Sequence, residues 1–289
     1  MVSNIYIIGM SKNCFPNLQK NLSYLIDFKK KSNFNINICI IDSDSNDGTK
    51  EYCSDLLLKN KLDNFIEIDD LEIDYQSRIE RLSICRNRGI KFIQDQNQKN
   101  LIYLPMDMDL DLFKYTTFET FDEIILSFIN NKDMDGVFPY SKPYYYDIFA
   151  LRKKGWVNGN SLLISRNLKD RFKIFTFIFN YIYIFRNQKH VKKIPKKLTK
   201  VESAFGGMGM YKINNKKLKE VKYDINKTNV DYFSEHLYFN NYFENLYIDK
   251  DWNFPSPIEY TFFNSYNLIE KMLYILKTLK NDIRNLYRM

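Results

Sequence analysis

The chain has 289 residues, 45% of them hydrophobic, and a formal net charge of +8, which fits a soluble globular protein with one large domain or two sharing a core. The charge favours polyanions, nucleotide diphosphates or an anionic membrane surface, and the absence of any nucleic-acid motif excludes nucleic acid as the expected partner. The four cysteines (Cys14, Cys39, Cys53, Cys85) have no metal-ligand spacing and read as reduced thiols.

Asn4 to Gly9 is a short apolar run before Ser11-Lys12-Asn13 and reads as a strand entering a loop. No signal peptide is legible there, and no stretch reaches the roughly 18 apolar residues of a spanning helix, so a cytoplasmic protein is expected. From Asn17 to Lys29, Leu18, Leu22, Leu25, Ile26 and Phe28 fall at mostly helical spacing. Asn35 to Ile41 is β-rich and stops at Asp42-Ser-Asp44-Ser-Asn-Asp47-Gly48-Thr49. This cluster is dense in turn formers, and Thr49 with Asp47 can cap a helix beginning near Lys50.

A third strand is expected at Asn64 to Ile68. A helix over Asp74 to Ile93 follows, with Ile79, Leu82, Ile90 and Ile93 as its buried stripe. The strand ending at Asp107 completes a β-α-β-α-β-α-β alternation. Such alternation predicts a mostly parallel sheet with helices on both faces. Ligands of these sheets bind beyond the carboxyl ends of the strands, where the clusters at Asp42 and Asp107 both fall.

Asp107-Met-Asp109-Leu-Asp111 carries the chemistry. If the strand continues, Asp107 and Asp109 point the same way, and two adjacent carboxylates repel. A divalent cation relieves this, and Mg2+ or Mn2+ can share its shell with a diphosphate. The alternative is a solvated acidic turn. Strand geometry favours the pair 107/109 over 109/111.

Asp42-Ser-Asp-Ser-Asn-Asp47-Gly48-Thr49, then Cys85-Arg86-Asn87 on a helix, then Asp107-Met-Asp109 resembles GT-A type nucleotide-sugar glycosyltransferases over about the first third of the chain. That resemblance implies an α/β, Rossmann-like three-layer α/β/α sandwich. It also implies that Asp42 contacts the base or ribose, that Arg86 and Asn87 lie near the nucleotide, and that the acidic pair holds metal and diphosphate. Three later segments extend it. Tyr146-Asp147-Ile-Phe149-Ala-Leu-Arg152, Ala204-Phe205-Gly206-Gly207-Met208 and Ser234-Glu235-His236-Leu237 follow in an order similar to the fungal capsule-associated mannosyltransferase group and its bacterial and viral relatives. Relatives often carry an Asn-Asp pair where this chain has the triple aspartate.

The resemblance implies a metal-dependent transferase using Mn2+ or Mg2+. The donor would be a nucleotide-sugar, GDP favoured over UDP, and the acceptor a glycan or lipid-linked glycan. A departing diphosphate needs a Lewis acid, with Lys12 or Arg86 as cationic helpers. Gly206 and Gly207 would let backbone approach the donor sugar, or form a simple turn. Glu235 is the candidate general base. His236 is a candidate third metal ligand or phosphate contact, with a structural role as the alternative. Asp147 and Arg152 would shape a sugar pocket or form an internal ion pair. Trp156 would be a stacking platform or core.

Residues 1–258 are expected to form the transferase domain, 1–110 its nucleotide-binding half and 111–258 its acceptor half, before a helical tail over 259–289. Phe172 to Phe185 is apolar and aromatic, and Arg186 to Lys200 is strongly basic. Asn267 to Met289 spaces Leu268, Met272, Ile275, Leu276 and Leu279 for one helix face. Both segments suit a peripheral contact with an anionic membrane, or packing on the protein or on a second copy in a homo-oligomer. The rival readings are a sugar-phosphate nucleotidyltransferase and a non-catalytic membrane- or glycan-binding module. The first would open with a Gly-rich loop that Gly9-Met-Ser-Lys12-Asn13 does not provide.

Overall fold

The computed structural model describes residues 4–96, 98–172, 175–189, 196–224 and 233–287, so His190 and the part of the basic run at 190–195 lie outside the described residues. The first part of the chain forms β1 (Asn4–Ser11), α1 (Phe15–Lys31), β2 (Asn35–Ser43), α2 (Thr49–Leu58), β3 (Asn64–Ile68), the single turn α3 (Leu71–Asp74), α4 (Arg78–Asp95) and β4 (Asn100–Asp107). After them come α5 (Phe118–Asn130), β5 (Gly136–Lys142), α6 (Ser161–Phe172), α7 (Thr176–Asn180), a π-helical turn (Tyr181–Phe185) and α8 (Arg186–Lys189). The chain then forms β6 (Leu198–Val201), β7 (Met210–Asn214), α9 (Asn215–Glu220), α10 (Glu235–Asn240), β8 (Leu246–Pro255), α11 (Ile258–Ser265) and α12 (Leu268–Tyr287).

All these strands join one sheet in the order β3-β2-β1-β4-β7-β5-β8-β6. β3, β2, β1 and β4 are parallel, as the alternation predicts. β7 inserts antiparallel between β4 and β5, β5 pairs parallel with β8, and β6 runs antiparallel at the edge. The sheet is therefore mixed and mostly parallel.

Alternation along the strands divides the apolar residues between two cores. Ile5, Ile7, Ile38 and Ile40 pack with α1, α2 and α5 on one face, while Tyr6, Ile8, Cys39 and Ile41 pack with α4, α9 and α10 on the other. The molecule is a three-layer α/β/α sandwich. On α1, Leu18, Leu22, Leu25, Ile26 and Phe28 are all buried. Asp47 accepts the backbone N–H of Thr49 at the start of α2 and that of Phe15 at the start of α1, so one carboxylate caps two helices.

The fourth helix starts later than the periodicity predicts. Ser77 accepts the Glu80 N–H and caps α4 there, which leaves Asp74 in the preceding turn. Ile79, Ile90 and Ile93 are buried, and Leu82 turns toward the cleft described below. Gly89 seats this helix. A Cβ there would lie 2.5 Å from Cγ2 of Ile8 on β1, so the helix backbone rests on the strand. Glycine costs helix stability of about 1 kcal/mol relative to alanine, and close seating offsets it.

Gly89→Leu, despite its better helix propensity, is expected to lower stability by about 1–3 kcal/mol through overpacking. Urea unfolding checks this; an unchanged midpoint would contradict the seating of α4 on Ile8.

Candidate active site

The parallel strands β1, β2 and β4 end at Ser11, Ser43 and Asp107, and their carboxyl ends open into a cleft with two lobes. The smaller lobe, about 200 Å³, is lined by Ser11, Lys12, Ser43, Glu72, Arg78 and Arg81 among others. The larger, about 300 Å³, is lined by Tyr146, Asp147, Phe205, Glu235, His236 and Tyr260 among others. Asp107, Asp109, Arg78 and Leu82 line both lobes. The acidic pair therefore stands at the junction.

Its backbone is held from three directions. The Asp107 N–H donates to Gly207 O (2.7 Å) and the Met108 N–H to Met10 O (2.9 Å). From α1, the amide of the buried Asn21 donates to Leu110 O (2.7 Å) and accepts from the Leu112 N–H (3.3 Å), while Asn17 donates to Asp109 O. The strand stops at Asp107 and the chain turns at once, so Asp111 leaves the cleft and faces Lys20 at 3.8 Å. Of the two pairs considered, 107/109 faces the cleft.

Arg86 is the hub of the larger lobe. It is 2% exposed; its Nε donates to Glu235 Oε1 (2.8 Å) and its Nη2 to Asp107 Oδ1 (2.7 Å). Its guanidinium also lies 4.8 Å from the ring centre of Phe205 and 5.6 Å from that of Tyr223. Burial works against its charge, but Asp107 and Glu235 outweigh it and hold Arg86 protonated well above its ordinary range.

Two carboxyls in the cleft behave differently. Burial pushes Asp147 up to about 6, although the Gly206 N–H (2.9 Å) and the Ala150 N–H (3.1 Å) donate to it and pull the other way. Desolvation, then the charge of Asp107, push Asp109 up to about 6, with Arg78 opposing. The Phe205-Gly206-Gly207 turn serves Asp147 and Asp107, holding the Asp147 carboxylate through one N–H and the Asp107 backbone through one carbonyl. Gly206 and Gly207 both have positive φ (68° and 79°). At Gly207 a Cβ would also lie 2.5 Å from Leu110 Cδ1, so the position requires glycine twice over.

Several expected roles change. His236 lines the larger lobe, but its ring stacks on Phe205 at 3.5 Å and its Nε2 is 3.4 Å from Glu235. Burial and then Arg86 hold it well below its ordinary pKa, so the imidazole is neutral. Among the described residues no three His, Cys, Asp or Glu side chains converge on a common metal position, so the set Asp107, Asp109 and His236 is not assembled. Asp42 is fully buried, and Ser11 Oγ, Ser45 Oγ and the Ser45 N–H donate to it. It organises the turn after β2 and lines neither lobe.

Asn87 donates to Tyr223 O (2.7 Å) and accepts the Tyr223 N–H (2.8 Å), strapping the segment after α9 rather than facing the cleft. Arg152 donates to Phe149 O and Leu151 O and pairs through its backbone with Ser203; it makes no direct ion pair with Asp147 among the described contacts. Trp156 is core. It is 7% exposed, packs edge-on to Tyr145 and donates through Nε1 to Asn187 O (2.8 Å).

Arg78 opens the segment that carries Cys85-Arg86-Asn87, but no motif singles it out as a site residue, nor Asn17 or Asn21. Arg78, Leu82 and Arg86 recur every four residues on α4, which is a readable signal for one face. Asn21 sits inside the apolar stripe of α1, where a buried amide needs partners and therefore marks a contact.

No protein-family model matches the chain, and no curated protein matches it. Among solved structures, the chain is similar to S. aureus TarS 1–349, with 13% identity over 86% of this chain and 58% of that one and a TM-score of 0.42. It is similar also to mannosyl-3-phosphoglycerate synthase from Rubrobacter xylanophilus (9% identity, 99% and 76% of the two chains, TM-score 0.42). A third is the mannosyltransferase PcManGT from Pyrobaculum calidifontis in complex with GDP-Man and Mn2+ (12% identity, 50% and 37% of the two chains, TM-score 0.35). The chain thus spans well under two thirds of TarS 1–349 and of PcManGT.

Arg86→Met removes the only charge between two carboxylates, one of them buried, and is expected to destabilise the fold by about 3–5 kcal/mol. Chemical denaturation checks this; a loss below about 1 kcal/mol would mean that the hub does not hold α10 to the sheet.

Proposed function

We propose that the chain is a GT-A type glycosyltransferase that takes a nucleotide-sugar into this cleft. The observation that carries the reading is the position of Asp107 and Asp109, shared by two lobes beyond the carboxyl ends of parallel strands. A nucleotide fits the smaller lobe, whose cationic side chains are Lys12, Arg78 and Arg81. The sugar and acceptor fit the larger lobe, and the diphosphate falls at the junction.

The pair suits a divalent ion. Burial, then the neighbouring charge of Asp107, disfavour the ionised Asp109, and both residues are oxygen donors of the kind Mg2+ and Mn2+ take. Two carboxylates with phosphate oxygens are sufficient for such an ion without a third protein ligand. When bound, it would supply Lewis-acid stabilisation of the leaving diphosphate. Arg86 holds Asp107 through one of its oxygens and so fixes the orientation of that carboxylate.

Glu235 and Asp147 are the carboxyls available in the larger lobe to accept the acceptor's hydroxyl proton. The order of the motifs supports Glu235. A second reading favours Asp147, because Glu235 is already paired with Arg86 while the Asp147 carboxyl sits near 6, closer to a working pH. Support for a mannose-type donor carried on GDP, and for a glycan or lipid-linked acceptor, comes from the motif resemblance alone.

Thermal shift against GDP, UDP, CMP and dTDP species, with and without Mn2+, tests the reading. Stabilisation by a nucleoside diphosphate only with metal, abolished in Asp109→Asn, is expected; no shift with any nucleotide would overturn it. Once a donor is found, the true base is expected to cost about 10²- to 10⁴-fold in kcat when replaced, comparing Glu235→Gln with Asp147→Asn. Equal small losses would exclude both.

A further inference from the structure

The helix α12 has three faces. Lys271, Tyr274, Thr278 and Asp282 turn toward the protein: Tyr274 packs against Phe177, Phe185, Phe262 and Phe263, and Asp282 accepts the Thr176 N–H. A second face is apolar and open. Seven large apolar side chains between Leu268 and Ile283 are 42% to 75% exposed, with Leu273 at 61% and Leu276 at 60%. Helical spacing gathers them on one arc. The third face is charged, and Lys277, Lys280 and Arg284 lie exposed along it beside the apolar stripe. Glu270, the exposed acid near the start of the helix, is engaged in a reciprocal cap with Asn267.

We propose that α12 lies in the interface of an anionic lipid bilayer, its open stripe in the acyl boundary and its lysines and arginine against the headgroups. A stripe this continuous is larger than the scattered apolar side chains normal to a surface. Its flanking charge is basic, which complements anionic lipid and gives an apolar protein partner nothing to match. Among the described residues no helix is long and apolar enough to cross a membrane, so the contact is with one surface. The helix on which α12 packs also exposes Phe175, just before it, and Ile178.

The docking has a consequence that rests on the transferase reading. The same α11 that packs on α12 gives Tyr260 to the larger lobe, and Leu162 and Ile184 of the neighbouring helices line it too. A lipid-linked acceptor would then meet the cleft along the wall nearest the membrane.

The test is co-sedimentation of the full chain with phosphatidylcholine vesicles, with and without phosphatidylglycerol, at low and high salt. Binding only to the anionic vesicles, weakened by salt, is expected. Leu273→Glu with Leu276→Glu, or charge reversal at Lys277, Lys280 and Arg284, should each reduce it about tenfold or more at an unchanged thermal midpoint. No binding to anionic vesicles, or binding that neither variant weakens, would overturn the proposal. So would self-association that the leucine variant disperses in analytical ultracentrifugation, since the stripe would then serve a second copy. Because no turnover is measured, failure here leaves the transferase reading untouched.

Discussion

A buried guanidinium between two carboxylates is the constraint on which the cleft depends. Burying a charge without a partner is prohibitive, so the buried Arg86 and Glu235 must meet in one geometry with the half-buried Asp107. Arg86 comes from α4, Asp107 from the end of the following β4 and Glu235 from the first turn of α10, so the pairing ties α10 back to two elements far earlier in the chain. Phe205 and Tyr223 close around the guanidinium and exclude water from it. The Phe205-Gly206-Gly207 turn then reaches both acidic centres. Moving any of these parts would leave a charge stranded in the floor of the cleft.

The two lobes differ in their lining. On the smaller side, Lys12, Arg78 and Arg81 stand over the ends of β1 and β2, with Glu72 paired to Lys12 and Arg81. On the larger side, carboxyls meet aromatic walls. Asp107 and Asp109 belong to both. The amides of Asn17 and Asn21 keep that boundary rigid by holding the carbonyls that follow it.

Much of the fold was legible because local rules and burial agreed. The strands β2 and β4 and the helices between them follow from apolar runs, turn clusters and caps, and the α1 stripe is buried at every expected position. Roles that spacing cannot decide depend on what each side chain touches. The resemblance makes Asp42 a base or ribose contact, and in the structure its carboxylate accepts from Ser11 and Ser45. Asn87 and Trp156 sit beside motif residues yet turn to backbone carbonyls of distant segments. His236 follows Glu235 in the chain, and its ring is stacked on Phe205 and held neutral by burial and Arg86. The antiparallel insertion of β7 was equally hidden, since it brings residues after 198 back beside β4. On α12 the periodicity was read correctly, but the apolar arc faces solvent rather than the core.

The most direct measurement is anomalous diffraction at the manganese edge from crystals grown with Mn2+ and the nucleoside diphosphate selected by thermal shift. The expected result is a manganese peak at the Asp107 and Asp109 pair between the lobes, with the nucleoside in the smaller lobe. A nucleotide bound elsewhere, or bound in the cleft with no manganese at the acidic pair, would contradict it.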